Sequence, residues 1–165
     1  MGIKRIGKHL IEHHWRVRRV FPKAALAAIE QAIKQGEATH SGQLRFVVEG
    51  ALDGLPLFRN QPPRERALDI FSRMRIWDTA HNNGVLIYLL LADRAVEIVA
   101  DRGIDAKVGR EGWRKICSRM ESEFRQGNFV RGVLGGIDAV SRELAAHFPP
   151  HGPHKNELPD KPVVM

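Results

Sequence analysis

The chain has 165 residues, 43% hydrophobic and 27% charged, with a formal net charge of +7 and one cysteine. That length and composition suit one hydrophobic core and are short for two. The lone Cys117 excludes an internal disulfide and agrees with a reducing compartment, and no apolar run approaches the roughly 20 residues of a membrane-spanning helix. No basic-then-apolar leader opens the sequence, so a cytoplasmic protein is expected, at most peripheral at the inner face of the membrane.

Residues 1–23 carry Lys4, Arg5, Lys8, Arg16, Arg18, Arg19 and Lys23 against Glu12 alone, which is six of the seven net charges. The remainder, with nineteen bases and eighteen acids, is almost neutral. Ile6, Leu10, Val17, Val20 and Phe21 recur near helical spacing with Trp15 beside them, predicting a basic amphipathic helix from about Lys4 to Val20. Such a helix can lie on an anionic membrane surface or dock a protein partner, through Lys4, Arg5, Lys8, Trp15, Arg16, Arg18 and Arg19. It can equally pack its apolar stripe on the domain and leave solvated charge outside. Charge confined to an extension, rather than spread over a folded face, argues against nucleic acid. His9 and His13 stand one turn apart, but no carboxylate or cysteine completes a metal set, and they read as exposed histidines.

Pro22 opens a helix that carries Leu26, Ile29 and Ile33 on one face and stops at Gly36. Leu44, Phe46 and Val48 alternate with Arg45, Val47 and Glu49, predicting a first strand less completely buried than the next. Gly54 to Pro63 reads as a loop. Ala67, Ile70, Phe71, Met74 and Trp77 then trace the apolar stripe of a crossover helix, so the strands it joins should be parallel. Eight consecutive apolar residues, Val85 to Ala92, predict a strand covered on both faces. Asp93-Arg94 turns the chain into a shorter antiparallel strand, Ala95 to Ala100.

If Ala92 opposes Ala95, then Gly84 faces Gly103, Asn83 faces Ile104 and Asn82 faces Asp105. Amides and carboxylates therefore gather at one rim of the hairpin, with Asp101 close by. An oxygen-rich rim suits a hard cation such as Ca2+ or Mg2+, and the same residues also satisfy turn amides without any ion.

Two helices follow, beginning near Gly112 and Asn128. Trp113, Ile116, Cys117, Met120 and Phe124 place Cys117 on a core face as a structural thiol. Val130, Val133, Leu134, Ile137, Val140, Leu144 and Phe148 form the last stripe, with Asn128 as N-cap and Gly132, Gly135 and Gly136 allowing close approach to the sheet. Pro149 to Met165 holds five prolines and is expected to stay extended and mobile. The organisation is thus a basic helix over 1–21, a domain over 22–148 and a tail over 149–165. No catalytic motif stands out: Glu123 occupies the position six residues after Cys117 where a cysteine phosphatase needs arginine, and there is no Gly-x-Ser-x-Gly or His-Glu-x-x-His.

From about Leu26 to Phe148 the chain resembles the TPM-domain family. The likeness runs in order through Ser41-Gly42-Gln43-Leu44-Arg45-Phe46-Val47-Val48, Arg66-Ala67-Leu68-Asp69-Ile70-Phe71, Asn83-Gly84-Val85-Leu86, the stretch Val96 to Ile104, and Gly132, Gly136 and Ile137. The resemblance implies a three-layer α/β/α sandwich, an α/β fold whose small mixed sheet contains an antiparallel hairpin over about residues 84–101, with helices on both faces. It is similar to a short bacterial cytoplasmic branch of the family, some of whose members bind calcium or show weak acid phosphatase activity. Carried over by position, the cation ligands are Asn83, Asp101 and Asp105, with Asp78 nearby. Gln43 and Asn82 stand where relatives place carboxylates, which weakens a divalent site. The expectation is a binding module for a protein or membrane partner with a weak Ca2+ or Mg2+ site, the alternative being a weak metal-dependent acid phosphatase.

Overall fold

The computed structural model describes residues 14–53, 56–57, 59–152 and 155–165. In chain order the elements are α1 (His14–Val20), α2 (Lys23–Glu37), β1 (Gln43–Glu49), α3 (Pro63–Arg73), β2 (Gly84–Leu90), β3 (Ala95–Ala100), α4 (Arg102–Arg125), α5 (Phe129–His147) and β4 (Val163–Val164). The sheet runs β3-β2-β1-β4. β1 is parallel to both β2 and β4, and β3 is antiparallel to β2. This is the expected mixed α/β sandwich.

Strand alternation sends Leu44, Phe46, Val48, Val85, Ile87 and Leu89 to one face, where Phe21, Ile29, Ile33, Ile116, Phe124, Val133 and Ile137 cover them. Val47, Leu86, Tyr88 and Leu90 occupy the other face, packed by Ala67, Ile70, Ile76 and Leu52, with Leu158, Val163 and Met165 at its margin. Every residue of β1 is buried, including Gln43, Arg45 and Glu49, so β1 is no less covered than β2. Its polar residues alternate because they meet polar partners in the second layer. Glu49 receives the Arg66 guanidinium in two hydrogen bonds of 2.9 and 2.8 Å and the Tyr88 hydroxyl at 2.6 Å. Burial and the adjacent carboxylate hold the Tyr88 hydroxyl far above its ordinary pKa, so it stays a donor.

The hairpin register differs from the expectation by two residues. Leu90 opposes Ala95 and Val85 opposes Ala100. The turn spans four residues: Leu91 and Ala92 donate their amides to Glu49 and Gly50 at 2.9 and 3.0 Å, extending the pairing with β1 instead of β3. A shift of two keeps every side chain on its face, so the hydrophobic pattern does not distinguish the two registers.

Three helix readings also change. α3 ends at Arg73, and Arg75 with φ 54 takes the chain out of helical phase, so Ile76 fills the core while Trp77 is 48% exposed beneath the Arg75 guanidinium. α4 starts at Arg102, ten residues before Gly112, and bends at Gly109, whose φ of 73 favours glycine. Gly132 and Gly136 admit α4 rather than the sheet: a Cβ there would lie 2.6 Å from Phe124 and 2.3 Å from Met120.

The tail is docked along β1 where it is described. Gln43 Oε1 accepts the Glu157 and Leu158 amides at 2.8 and 2.9 Å, and the Arg45 guanidinium donates to the Pro159 and Lys161 carbonyls. Met165 accepts from the Gly50 amide and donates to Val48. These bonds replace the free tail expected from its prolines, because β1 would otherwise present an unpaired edge and two buried polar side chains.

At the start of β1 the buried Glu37 carboxyl group accepts the Leu44 amide at 3.1 Å through Oε1. Burial, with the Asp160 charge adding to it, pushes Glu37 up to about 8 against the opposing Leu44 amide and Arg45.

Four outcomes are expected. Arg66→Ala, which strands the Glu49 charge, should lower unfolding free energy by about 3–5 kcal/mol in urea titration, and Tyr88→Phe by about 1 kcal/mol. Hydrogen exchange should show the Gly50, Leu158 and Met165 amides protected, whereas a free tail would exchange at once. The folded state holds the Glu37 proton to about pH 8 and the unfolded chain releases it near 4.5. Its contribution to stability is therefore full below about 4.5 and lost as pH rises to about 8. Glu37→Gln, which keeps an acceptor for Leu44, should flatten that slope and exceed the parent's stability at pH 8 by on the order of 1–2 kcal/mol.

Candidate functional site

The rim lies where β1 and β2 begin and β3 ends. Gly84 reaches it because a Cβ there would sit 2.0 Å from the Ile76 carbonyl oxygen, and Gly103 because a Cβ would sit 2.5 Å from that of Asn82. The two glycines therefore bring the strand start and the first turn of α4 hard against the 76–82 segment.

Asn83 is fully buried. Its amide donates to Thr79 Oγ1 at 3.1 Å, its Nδ2 donates to the Ser41 carbonyl at 3.2 Å, and its own carbonyl accepts from Gln43 at 3.3 Å. Asp101 is the N-cap of α4: Oδ1 accepts the Arg102 amide at 2.7 Å, while the Asp101 amide donates to Gly84 at 2.8 Å. Two oxygens at this rim, Asn83 Oδ1 and Asp101 Oδ2, are buried without a hydrogen-bond partner. A buried acceptor without a donor is costly, and a cation or a water is what relieves it.

The other two expected ligands are committed elsewhere. Asp105 Oδ1 accepts the Trp113 indole N–H at 2.9 Å, and Asp78 forms an exposed ion pair with Arg75. Gln43, placed by resemblance among carboxylate positions, turns to the tail, and Asn82 stands in a left-handed turn at φ 51 with its carbonyl accepting from Ile104. Among the described residues no three His, Cys, Asp or Glu side chains gather to hold a metal. One carboxylate oxygen and one amide oxygen fit a hard cation only if backbone carbonyls and water complete its six to eight ligands. The positive end of the α4 dipole opposes the ion as well.

Cys117 is half-buried against the Ile98 backbone, and burial pushes its thiol up to about 12. That leaves it protonated and poorly nucleophilic.

A second set of candidate residues surrounds α1. Val17 and Phe21 are buried in the core, so the described part of the amphipathic stripe is spent on the domain itself. Trp15 is 55% exposed, Arg18 and Arg19 are exposed, and Arg16 is half-buried with its pKa lowered by burial and by Arg94. Lys4, Arg5, Lys8, His9 and His13 lie outside the described residues. Trp15, Arg16 and Arg19 share an open cavity of about 600 Å³ with Asn128, Phe129, Val130 and Arg131 at the start of α5. Sequence reasoning missed Phe129 and Arg131, since nothing local links residues over a hundred positions apart. Asn128 does not cap α5 with its side chain, which donates instead to Glu123 Oε2 at 3.1 Å. No described helix is long and apolar enough to cross a membrane.

No curated protein matches the chain. The NMR structure of BA42 from the psychrophilic bacterium Bizionia argentinensis superposes with a TM-score of 0.75 at 30% identity, over 86% of this chain and 93% of that one. The solution structure of an N-terminal domain from P. gingivalis shares the fold, with a TM-score of 0.64 at 21% identity over 80% and 83%. The family model for the TPM domain matches residues 17–143, from the core-anchoring Val17 in α1 to Glu143 in α5, and the chain belongs to the TPM-domain family.

Proposed function

We propose that this TPM domain is a binding module that docks a protein or an anionic membrane surface on the cytoplasmic side, through the exposed face of α1. The observation that carries this reading is the division of α1: Val17 and Phe21 anchor it in the core and thereby hold Trp15, Arg18 and Arg19 outward. A helix fixed this way presents its charge at a set orientation, which lowers the ordering cost of binding. The orphaned oxygens of Asn83 and Asp101 support a weak divalent-cation site at the opposite, strand-start end of β2, with Asp101 supplying its charge.

A phosphatase at the rim would use the bound ion to activate water, with Asp101 holding it. The rim offers one carboxylate, and the only cysteine is protonated, so binding is the better-supported reading.

Titration with Ca2+ and then Mg2+, followed on the backbone amides by NMR, should give saturable shifts at Gly84, Asp101, Arg102 and Gly103 in the millimolar range, and no metal-dependent hydrolysis of a generic phosphomonoester. Asp101→Ala should abolish the shifts and cost about 1 kcal/mol through the lost cap. Rim amides that stay still would leave the two oxygens to water, and metal-dependent turnover lost in Asp101→Ala would establish the enzyme instead.

A further inference from the structure

The cavity between α1 and the start of α5 differs in its charge from the two cavities that α4 lines. The groove between α4 and α5 has about 720 Å³ and carries Lys115, Arg119, Arg131 and Arg142 against Glu123, Asp138 and Glu143, with Arg142 paired to Asp138 at 2.9 Å. The cavity beside β3 mixes Arg64, Arg110 and Arg114 with Glu97, Asp105 and Glu121. The α1–α5 cavity brings three arginines to an apolar floor with no acidic lining residue, whereas a second basic cavity, of about 710 Å³ beside Phe21, Leu26 and Met165, has Arg18 and Lys23. We propose that this cavity receives a short acidic segment of a partner protein, with an apolar side chain on the Phe129–Val130 floor beside Trp15 and carboxylates on Arg19 and Arg131. The proposal rests on the docking reading above and names the partner's chemistry.

The floor is rigid. Phe129 stacks on Phe124 at 5.3 Å between ring centroids and an interplanar angle of 14°, and Val20 closes the α1 side. Arg131 is 78% exposed and only 3.7 Å at its closest from Glu123, whose other oxygen takes the Asn128 side chain, so its guanidinium remains available to a second carboxylate. Arg94 adds positive charge beside Arg16. Charge of one sign with low-dielectric walls focuses the field on an incoming anion.

A peptide fits better than a lipid surface for two reasons. A helix that lies on a membrane buries its apolar face among acyl chains, and here Val17 and Phe21 are already in the protein core. The cavity is concave, about 600 Å³, within the range of pockets that enclose a few side chains. The preceding residues 1–13, with Lys4, Arg5 and Lys8 against Glu12, carry the wrong charge to be its occupant.

Fluorescence anisotropy with a labelled peptide of about ten residues, glutamate pairs alternating with leucine and phenylalanine, tests this on the full chain. Saturable binding is expected, weakened at least about tenfold by each of Arg19→Glu, Arg131→Glu and Trp15→Ala and by replacing the peptide's apolar residues with glycine. Arg75→Glu should change nothing, and circular dichroism should show all variants folded. Peptide binding that survives Arg131→Glu and Trp15→Ala would overturn the cavity as the site and leave docking through α1 intact. Sedimentation with phosphatidylglycerol vesicles, dependent on Arg19 and without peptide binding, would also overturn the proposal and assign the α1 face to membranes. Absence of both would overturn the proposal together with the docking reading.

Discussion

A strand that carries glutamine, arginine and glutamate on one face can lie at the centre of a sandwich only if each of those groups finds a partner inside it. In β1 each does. Glu49 takes Arg66 and Tyr88, Arg45 takes the Pro159 and Lys161 carbonyls, and Gln43 takes the Glu157 and Leu158 amides. Two of the three partners come from the tail, and the third from α3 and β2. The position of the C-terminal segment therefore follows from the polarity of β1 more than from any preference of its own: a proline-rich chain has few backbone donors, but its carbonyls serve as acceptors for arginine and its few amides suffice for Gln43. β4 then closes the sheet edge with two residues.

The same strand sets the rim. Parallel pairing of Gln43 with Gly84 places Asn83 beside the Ser41 carbonyl, and antiparallel pairing of β2 with β3 ends where Asp101 starts α4. Asp101 is thereby divided between two tasks. One oxygen caps a helix, which any N-cap aspartate does, and the other is buried beyond reach of a donor. The capping accounts for the residue's presence, and the second oxygen is a buried acceptor without a hydrogen-bond partner.

At the other side of the molecule α1 resolves an ambiguity that its sequence leaves open. An amphipathic basic helix can place its apolar stripe on a lipid surface or on its own domain, and the energetics of burying Val17 and Phe21 are similar in the two cases. The domain offers a preformed site among Ile29, Ile33 and Phe46, with the Phe21 and Phe46 rings 6.1 Å apart. Once that stripe is taken, what remains at the surface is a tryptophan and a set of guanidinium groups brought against the start of α5.

The sequence by itself determined the order of helices and strands as far as α5, the buried β2, the antiparallel hairpin, the core face of Cys117 and membership of the TPM-domain family. The structural features follow from periodicity and turn residues, which act over a few positions, and the family from the order of its motifs along the chain. Tertiary structure decided the rest. The hairpin register slid by two residues because Leu91 and Ala92 found acceptors on β1, a shift that leaves the apolar pattern unchanged. Trp77 lost its core position to Ile76 because one left-handed residue, Arg75, altered the phase of the chain. Asp105 and Asp78 are committed to Trp113 and Arg75 instead of a shared ligand set, partners that the tertiary packing brings within hydrogen-bond reach. The docking of the tail and the joining of Arg19 to Arg131 depend on contacts between residues over a hundred positions apart. No local pattern encodes them, because loop-closure entropy grows so slowly with length that distant segments meet wherever packing and polar satisfaction favour it.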